Sequence, residues 1–306
     1  MDRFTELQVF VAIADVQNMT RAAESLSMSV SAVSRSLSGL EERLNVRLVQ
    51  RTTRQLSLTS EGERFAQCAR EILANLDEAE DQASRGTAEP HGTLRVGASL
   101  SFALLHLLPV IRDFKRDYPK VQVEVEASNR YYDIVENNLD LAVRNRLAEA
   151  DSSVTIRRLA EVPRLLAAAP DYLARHGTPS QPEDLAAHQM LLYTLAADGN
   201  ALTLTNQTET RRITPEADMI CNDGQLIRRA ALDGMGILIQ PAYIIHDDLA
   251  AGRLVRVLPD WSLPHLVMNI AYPSRSFLPV RTRLFIDALV RHFRDNDLPG
   301  KWHSGA

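Results

Sequence analysis

Residues 20–44 read TRAAESLSMSVSAVSRSLSGLEERL, two short helical patterns parted at Ser27-Met28-Ser29. The spacing predicts a first helix from Thr20 to Leu26, with Ala22, Ala23 and Leu26 on one face. Small alanines there let another helix cross closely. A second helix is predicted from about Val30 to Leu44, where Val33, Leu37, Leu40 and Leu44 form one apolar stripe. Ser29 is placed to cap it. The opposite face carries Ser31, Ser34, Arg35 and Ser38 rather than the Glu, Lys and Gln of a solvated helix. A helix-turn-helix lays its second helix in the DNA major groove, where short hydroxyls and an arginine can read base edges. The same stretch also fits a helical hairpin of an ordinary core, because such short signals arise by chance.

The flanks decide between the two. Upstream, residues 3–15 predict a supporting helix with Phe4, Leu7, Phe10, Val11 and Ala14 on its packed side. Downstream, NVRLVQRTTRQLSLTSEG (45–62) predicts a β-hairpin wing anchored by Leu48, Leu56 and Leu58. Its arginines and threonines are placed to touch phosphates, contacts that fix register rather than sequence. From Arg35 to Arg54, Arg35, Arg43, Arg47, Arg51 and Arg54 face only Glu41 and Glu42, so the stretch is locally basic.

Ser60-Glu61-Gly62-Glu63 has the form of a capping box opening a long helix. Along it Phe65, Ala69, Ile72, Leu76, Ala79 and Ala83 recur at alternating steps of four and three, a coiled-coil seam. Ending near Arg85-Gly86, the helix would be roughly 39 Å long. A narrow, alanine-rich seam implies a close partner, most simply the same helix of a second subunit. Two recognition helices so paired would read a pseudo-palindromic site. Glu89-Pro90-His91-Gly92 then breaks the chain and marks a linker.

Composition bounds the class. The chain has 306 residues, 45% hydrophobic and 24% charged, enough for two or three soluble domains. A net charge of −5 argues against nonspecific coating of nucleic acid but leaves room for a local DNA-binding face. Cys68 and Cys221 lie far apart and form no metal or redox spacing. No run is long and apolar enough to span a membrane, and MDRFTELQVF lacks a signal peptide's features, so the expected location is cytoplasmic.

At this point a family comes into view. The first helix, TRAAESL, SAVSRSLSGLEERL, RLVQRTTRQLSLTSEGE and the long helix together resemble the LysR-type transcriptional regulators, most of all the CrgA-like branch. The family often has Gln-Pro where this chain has Val30-Ser31, so amide readout is absent there. The resemblance implies Thr20, Val30, Ser31, Ser34, Arg35 and Ser38 at the DNA, with Arg51, Thr53 and Arg54 on its backbone.

From Gly92 onward the pattern changes to α/β. TLRVGA (93–98) predicts a buried strand, and Ser99-Leu100-Ser101 leads into an apolar helix through Phe114. KVQVEVEAS follows Pro119 as a strand with one face covered, then a helix over 131–138 and a strand at 140–144. This order gives a largely parallel sheet. A second unit begins near Pro163 and runs through RLLAAAP, PEDLAAH, MLLYTL and DMICNDGQLIRRAALDGMGILIQP. The strand at 265–273 and a helix from Val280 to about Arg294 return to the first unit. This half too resembles the LysR-type effector domain, similar to a type II periplasmic binding protein.

The expected fold class is therefore a two-lobed α/β effector domain preceded by an all-α winged helix-turn-helix and a long linker helix. The boundaries are 1–59 for the DNA-binding domain, 60–90 for the linker and dimerisation helix, and 91–306 for the effector domain. Lobe I spans about 91–162 and 268–306, and lobe II about 163–267. Ligands in such folds bind beyond strand ends, next to helix N-termini. That places Ser99, Ser101, Ser128, Asn222 and Asp223 as effector contacts, with hydroxyls and helix-end amides suited to a small carboxylate. Arg144 would add charge, although such an arginine is as often a structural ion pair, and the serines serve equally as plain N-caps. His106 is expected to be a packing residue. No catalytic residues, cofactor or metal are expected, since no HExxH, GxSxG, P-loop or GxGxxG occurs in context. Expected partners are double-stranded DNA, a small effector, the chain itself as a dimer or dimer of dimers, and RNA polymerase. A ligand-binding protein without DNA function and an enzyme lacking known motifs are the alternatives.

Overall fold

The computed structural model describes residues 2–51, 56–83, 89–130, 134, 137–146, 154–194, 201–274 and 278–304. The chain divides into two compact units, the main division falling between Glu89 and Pro90.

The N-terminal unit runs α1 (Arg3–Val16), α2 (Met19–Ser25), α3 (Val30–Leu44), β1 (Val49–Arg51), β2 (Leu56–Leu58) and α4 (Ser60–Ala83). Each of the first three helices starts on a side-chain cap. Asp2 accepts from the amides of Phe4 and Thr5, Asn18 from those of Thr20 and Arg21, and Ser29 from that of Ala32 at 3.2 Å. Val9, Phe10, Ile13, Ala22, Ala23, Val33, Leu37, Leu40 and Leu48 form the shared core. The buried face of α1 is Leu7, Val9, Phe10, Ile13 and Ala14; Phe4 stays 46% exposed. It differs from the expected face because α1 packs against three helices, α2, α3 and α4, and not one.

Two polar groups fix the wing to this core. The carboxylate of Glu41, 7% exposed, accepts from the amides of Leu48 at 2.8 Å and Val49 at 3.1 Å, and pairs with Arg47 at 2.9 Å. Thr59 joins the wing to α4: its hydroxyl donates to the Arg47 carbonyl at 2.8 Å and accepts from the Gly62 amide at 2.9 Å. The cap of the long helix is thus Thr59 and not Ser60, whose hydroxyl instead bonds Glu61. At Gly62 a Cβ would stand 2.0 Å from the Leu48 carbonyl oxygen, so only glycine permits this approach.

The C-terminal unit runs β3 (Gly92–Ala98), α5 (Leu100–Phe102), a π-helical turn (Ala103–Leu107), α6 (Leu108–Asp117), β4 (Val121–Ala127), β5 (Leu141–Arg146), β6 (Val154–Val162) and β7 (Arg164–Ala168). It continues through α7 (Pro170–His176), a 3-10 turn (Pro182–Ala187), β8 (Met190–Tyr193), β9 (Leu202–Thr205), β10 (Thr210–Ile213), β11 (Ala217–Cys221) and α8 (Gly224–Leu232). β12 (Ile237–Pro241), α9 (Ala242–Ala250), β13 (Val255–Val257), β14 (Leu266–Pro273), α10 (Val280–Asp295) and α11 (Leu298–Ser304) complete it.

Two five-stranded sheets form, in the orders β4-β3-β5-β14-β6 and β11-β8-β12-β7-β13. Both are mixed and not largely parallel: β4, β3 and β5 run parallel, whereas β14 is antiparallel to β5 and β6. The second sheet repeats the scheme, with β11, β8 and β12 parallel and β7 antiparallel to β12 and β13. The antiparallel strands are where the chain crosses between sheets, at Pro163 and between Val257 and Leu266. β4 is an edge strand, so its covered face fades from buried Val121 to Val125 at 39% exposed. The helix expected over 131–138 lies mostly outside the described residues; Ile134 is buried, and Asn137 and Asn138 are in a turn.

An aromatic cluster gathers around His106. Its ring lies 5.7 Å from Phe102, 5.6 Å from Tyr243, 6.1 Å from Phe293 and 5.3 Å from Trp302. These residues come from the π-helical turn, α5, α9, α10 and α11, so side chains tie elements of both lobes. Burial pushes the imidazole down to about 4, so it is neutral in the folded chain. An acid-lowered stability follows: the unfolded chain takes up the proton near pH 6.5 while the folded one resists until about pH 4. His106→Phe is expected to remove about 2 kcal/mol of the stability that the wild type loses between pH 7 and 5. Denaturant titrations at both values test this; identical pH slopes would refute it. Glu41→Ala, which leaves two wing amides unpaired, is expected to destabilise the N-terminal unit by about 2–3 kcal/mol, read as a lowered denaturant midpoint.

Candidate nucleic-acid interface and effector cleft

In the N-terminal unit the exposed face of α3 begins at its cap. Val30 is 44% exposed, Ser31 and Arg35 are exposed, and Ser34 and Ser38 are half-buried. Thr20, in the first turn of α2, is exposed as well. Arg35 lies along its own helix, its Nε donating to the Ser31 carbonyl at 3.3 Å. Ser31 Oγ lies 3.1 Å from the capping Ser29 Oγ. The face therefore carries short hydroxyls and one arginine reachable from outside.

Two of the charges around it have partners that the sequence did not suggest. Arg43 is paired with Glu6 at 2.7 Å, and Arg47 with Glu41. Two of the five arginines read as basic excess thus have a carboxylate partner within the unit, although the Arg47 side chain stays 82% exposed. Thr53, Arg54 and the side chain of Arg51 lie outside the described residues.

The proposed seam of α4 needs a correction. Phe65 packs on Phe10 with ring centroids 5.5 Å apart, and Ala69 is fully buried. Arg70 pairs with Asp15 at the end of α1, so within the chain one face of this half of α4 packs on α1. Ile72 is 45% exposed and Leu76 half-buried; the side chains of Ala79 and Ala83 lie outside the described residues.

In the C-terminal unit, helix starts from the two lobes meet. α5 begins on Ser99, whose hydroxyl accepts from the Phe102 amide at 3.3 Å. α8 begins on Asp223, whose Oδ1 accepts from the amides of Gln225 and Leu226 at 2.9 and 3.0 Å. Asn129 ties the two, accepting from the Leu100 amide at 3.1 Å and donating to Asp223 Oδ2 at 2.8 Å. Ser101 is 3% exposed and faces Gly224: a Cβ there would lie 3.0 Å from Ser101 Oγ and 3.2 Å from Gln240 Oε1. Ser128 closes its own turn by accepting from the Arg130 amide at 3.2 Å, and Asn222 is exposed.

The structure therefore brings Ser99, Ser101 and Asp223 together at the seam between lobes, but commits Ser99 and Asp223 to capping. Of the helix-end amides on which an anion would draw, those of Leu100, Phe102, Gln225 and Leu226 are already used by Asn129, Ser99 and Asp223. Arg144 is buried at 9% exposure, but its neighbour Asn145 is the residue that crosses to lobe II, donating to Tyr243 Oη at 3.0 Å. Successive residues on a strand face opposite sides, which separates the two.

Sequence reasoning missed Asn129, Asn145, Tyr193, Gln240 and Tyr243. Burial pushes the phenol of Tyr243 up to about 12, so it remains protonated. Burial also raises that of Tyr193, with Asp223 and Cys221 nearby adding to it. Gln240 alone had a legible signal, a polar side chain closing the apolar run GILIQ. Asp248, fully buried, is held by Arg228 and Arg253, which binds α8 to α9 behind this seam. Burial alone would raise its carboxyl, but the two guanidiniums outweigh that and hold it below the usual range. No cluster of His, Cys, Asp and Glu able to hold a metal occurs among the described residues. Nor, among them, is any helix long and apolar enough to cross a membrane.

Comparison with known proteins agrees with both halves. Residues 4–63 match the model of the bacterial regulatory helix-turn-helix protein, lysR family, and residues 87–294 that of the LysR substrate binding domain. The chain is 36% identical over 286 residues to the HTH-type transcriptional regulator PtxR of Pseudomonas aeruginosa, covering 94% of this chain and 91% of that one. It is 34% identical over 293 residues to the regulator CrgA of Neisseria meningitidis, covering 95% and 97%. The solved structure of CrgA superposes with a TM-score of 0.62 over 94% of this chain and 97% of that one. Full-length AphB of Vibrio cholerae, 28% identical, gives 0.61 over 94% and 99%. With the helix-turn-helix and the two-lobed domain both matched, the chain belongs to the LysR family of transcriptional regulators.

Proposed function

We propose that the chain binds a pseudo-palindromic operator as a homodimer or dimer of dimers in the cytoplasm, under the control of a small effector held between the two lobes. No catalytic step is part of this reading, and RNA polymerase is a further partner. The observation that carries it is the outer face of α3. Val30, Ser31, Ser34, Arg35 and Ser38 stand there, while the neighbouring charges Glu41, Arg43 and Arg47 are spent on ion pairs within the unit. Short hydroxyls and one arginine suit base edges, and Arg51, Thr53 and Arg54 of the wing suit phosphates. Thr20, at the start of α2, joins them.

The effector is proposed to be of carboxylate type. The start of α8 already holds a carboxylate, its own Asp223, so an effector's acceptor oxygens must find other donors along the seam. A ligand that prefers one arrangement of the lobes shifts the balance between DNA-bound states by its difference in affinity. Pairing of subunits is assigned to the seam of α4, through exposed Ile72 and half-buried Leu76 and on to Ala79 and Ala83.

Arg35→Ala is expected to lower discrimination between an operator selected from random DNA and unrelated DNA by about 1–3 kcal/mol. Equal losses on both would remove base readout from Arg35. Arg51→Ala should instead weaken both alike and reduce the log-log salt slope by about 0.9, measured by fluorescence anisotropy. Ile72→Glu is expected to shift sedimentation toward the monomer with the unfolding midpoint unchanged; an unaltered assembly would place the interface elsewhere.

A further inference from the structure

Gln240 ends β12 and is only 2% exposed. Amide side chains this deep ordinarily have both ends paired. Gln240 does not: its Nε2 has no hydrogen-bond partner among the described residues. The residue is not remote from the lobe boundary. Its Oε1 and Ser101 Oγ, one from each lobe, converge on the first residue of α8. Three positions on, Tyr243 reaches Asn145 of lobe I, and Asn145 Oδ1 is likewise buried and unpartnered.

A third such atom lies on α8. Gln225 Nε2 is buried without a partner among the described residues. Its orientation is set, because Arg228 donates to Gln225 Oε1 at 3.4 Å and is itself held by Asp248. At the seam itself Gln240 thus offers one unused amide donor and Asn145 one unused amide acceptor. A buried polar atom left unpaired forfeits its hydration with nothing in return, so a fold keeps one chiefly where something else completes it.

We propose that Gln240 is an effector-contacting residue, its buried amide donating to a carboxylate or carbonyl oxygen of the ligand beside Ser101. This rests on the effector reading above and names the group that gives it selectivity. A glutamine buried only for packing would behave differently, since its removal would cost stability whatever the ligand.

The test uses the full chain, wild type and Gln240→Met, with acetate, succinate, benzoate and uncharged benzamide as probes. Methionine keeps the length of the side chain and removes the amide. Melting of the empty Gln240→Met chain is expected to rise by roughly 2 °C, because an unpaired donor is gone. At least one probe should raise the wild-type midpoint, and its dissociation constant should weaken about tenfold in the variant. Gln240→Glu, which replaces the donor by an acceptor, should lose the response to the carboxylates altogether. A lowered midpoint of the empty Met variant, or an unweakened probe, overturns the assignment of Gln240. Silence of the wild type toward all four probes overturns the ligand class. Retention on the selected operator, measured on the same samples, separates these outcomes: its loss in the wild type would strike the regulator reading itself.

Discussion

One buried carboxylate holds the DNA-facing half of the chain together. Glu41 sits on the inner side of α3, yet its oxygens serve the two amides that open the wing and the guanidinium of Arg47. Stripped of these partners it would be an ion in an apolar core, a state costly enough that the helix and the wing must form together. The wing is thereby referenced to α3 through one side chain. Thr59 then passes the same reference to α4, and the close contact at Gly62 leaves no slack in the joint. Recognition helix, wing and long helix are in this sense one rigid object.

The C-terminal unit obeys a related constraint. Each lobe directs a helix start at the other, and free amides at such ends attract negative charge. Two amides at each end are satisfied from within, by Ser99 and Asn129 on one side and Asp223 on the other, and Asn129 also donates to Asp223. The seam is therefore not an empty anion hole. Its unspent capacity lies in amide side chains, which are uncharged and oriented, and which discriminate by geometry more than by charge.

The patterns legible in the sequence were those set by neighbours along the chain. The apolar stripe of α3 and the cap at Ser29 are local, and so is the strand alternation that places β1 and β2. What stayed hidden depends on distant partners. Arg43 looks like a phosphate ligand until Glu6, far away in sequence, is placed beside it. Phe65 and Ala69 fall on a clean heptad, but within the chain Phe65 packs on Phe10 of α1 and Ala69 is fully buried. The β9–β10 hairpin, closed by Asn206 accepting from the Thr208 and Glu209 amides, does carry a local signal in the alternation of LTLT. Trp302 gives no such hint, because its burial depends on α9 and the π-helical turn.

The distribution of charge carries the last step. A chain of net charge −5 that must leave nonspecific DNA readily cannot rely on a large field of arginines. Glu6 beside Arg43 and Glu41 beside Arg47 make the local positive charge smaller than the number of arginines alone would give. Specificity is a ratio, and it rises as much by weakening the common term as by strengthening the particular one. The ion pairs that brace the N-terminal unit thus also trim its net positive charge, while the Arg47 side chain stays 82% exposed beside Glu41.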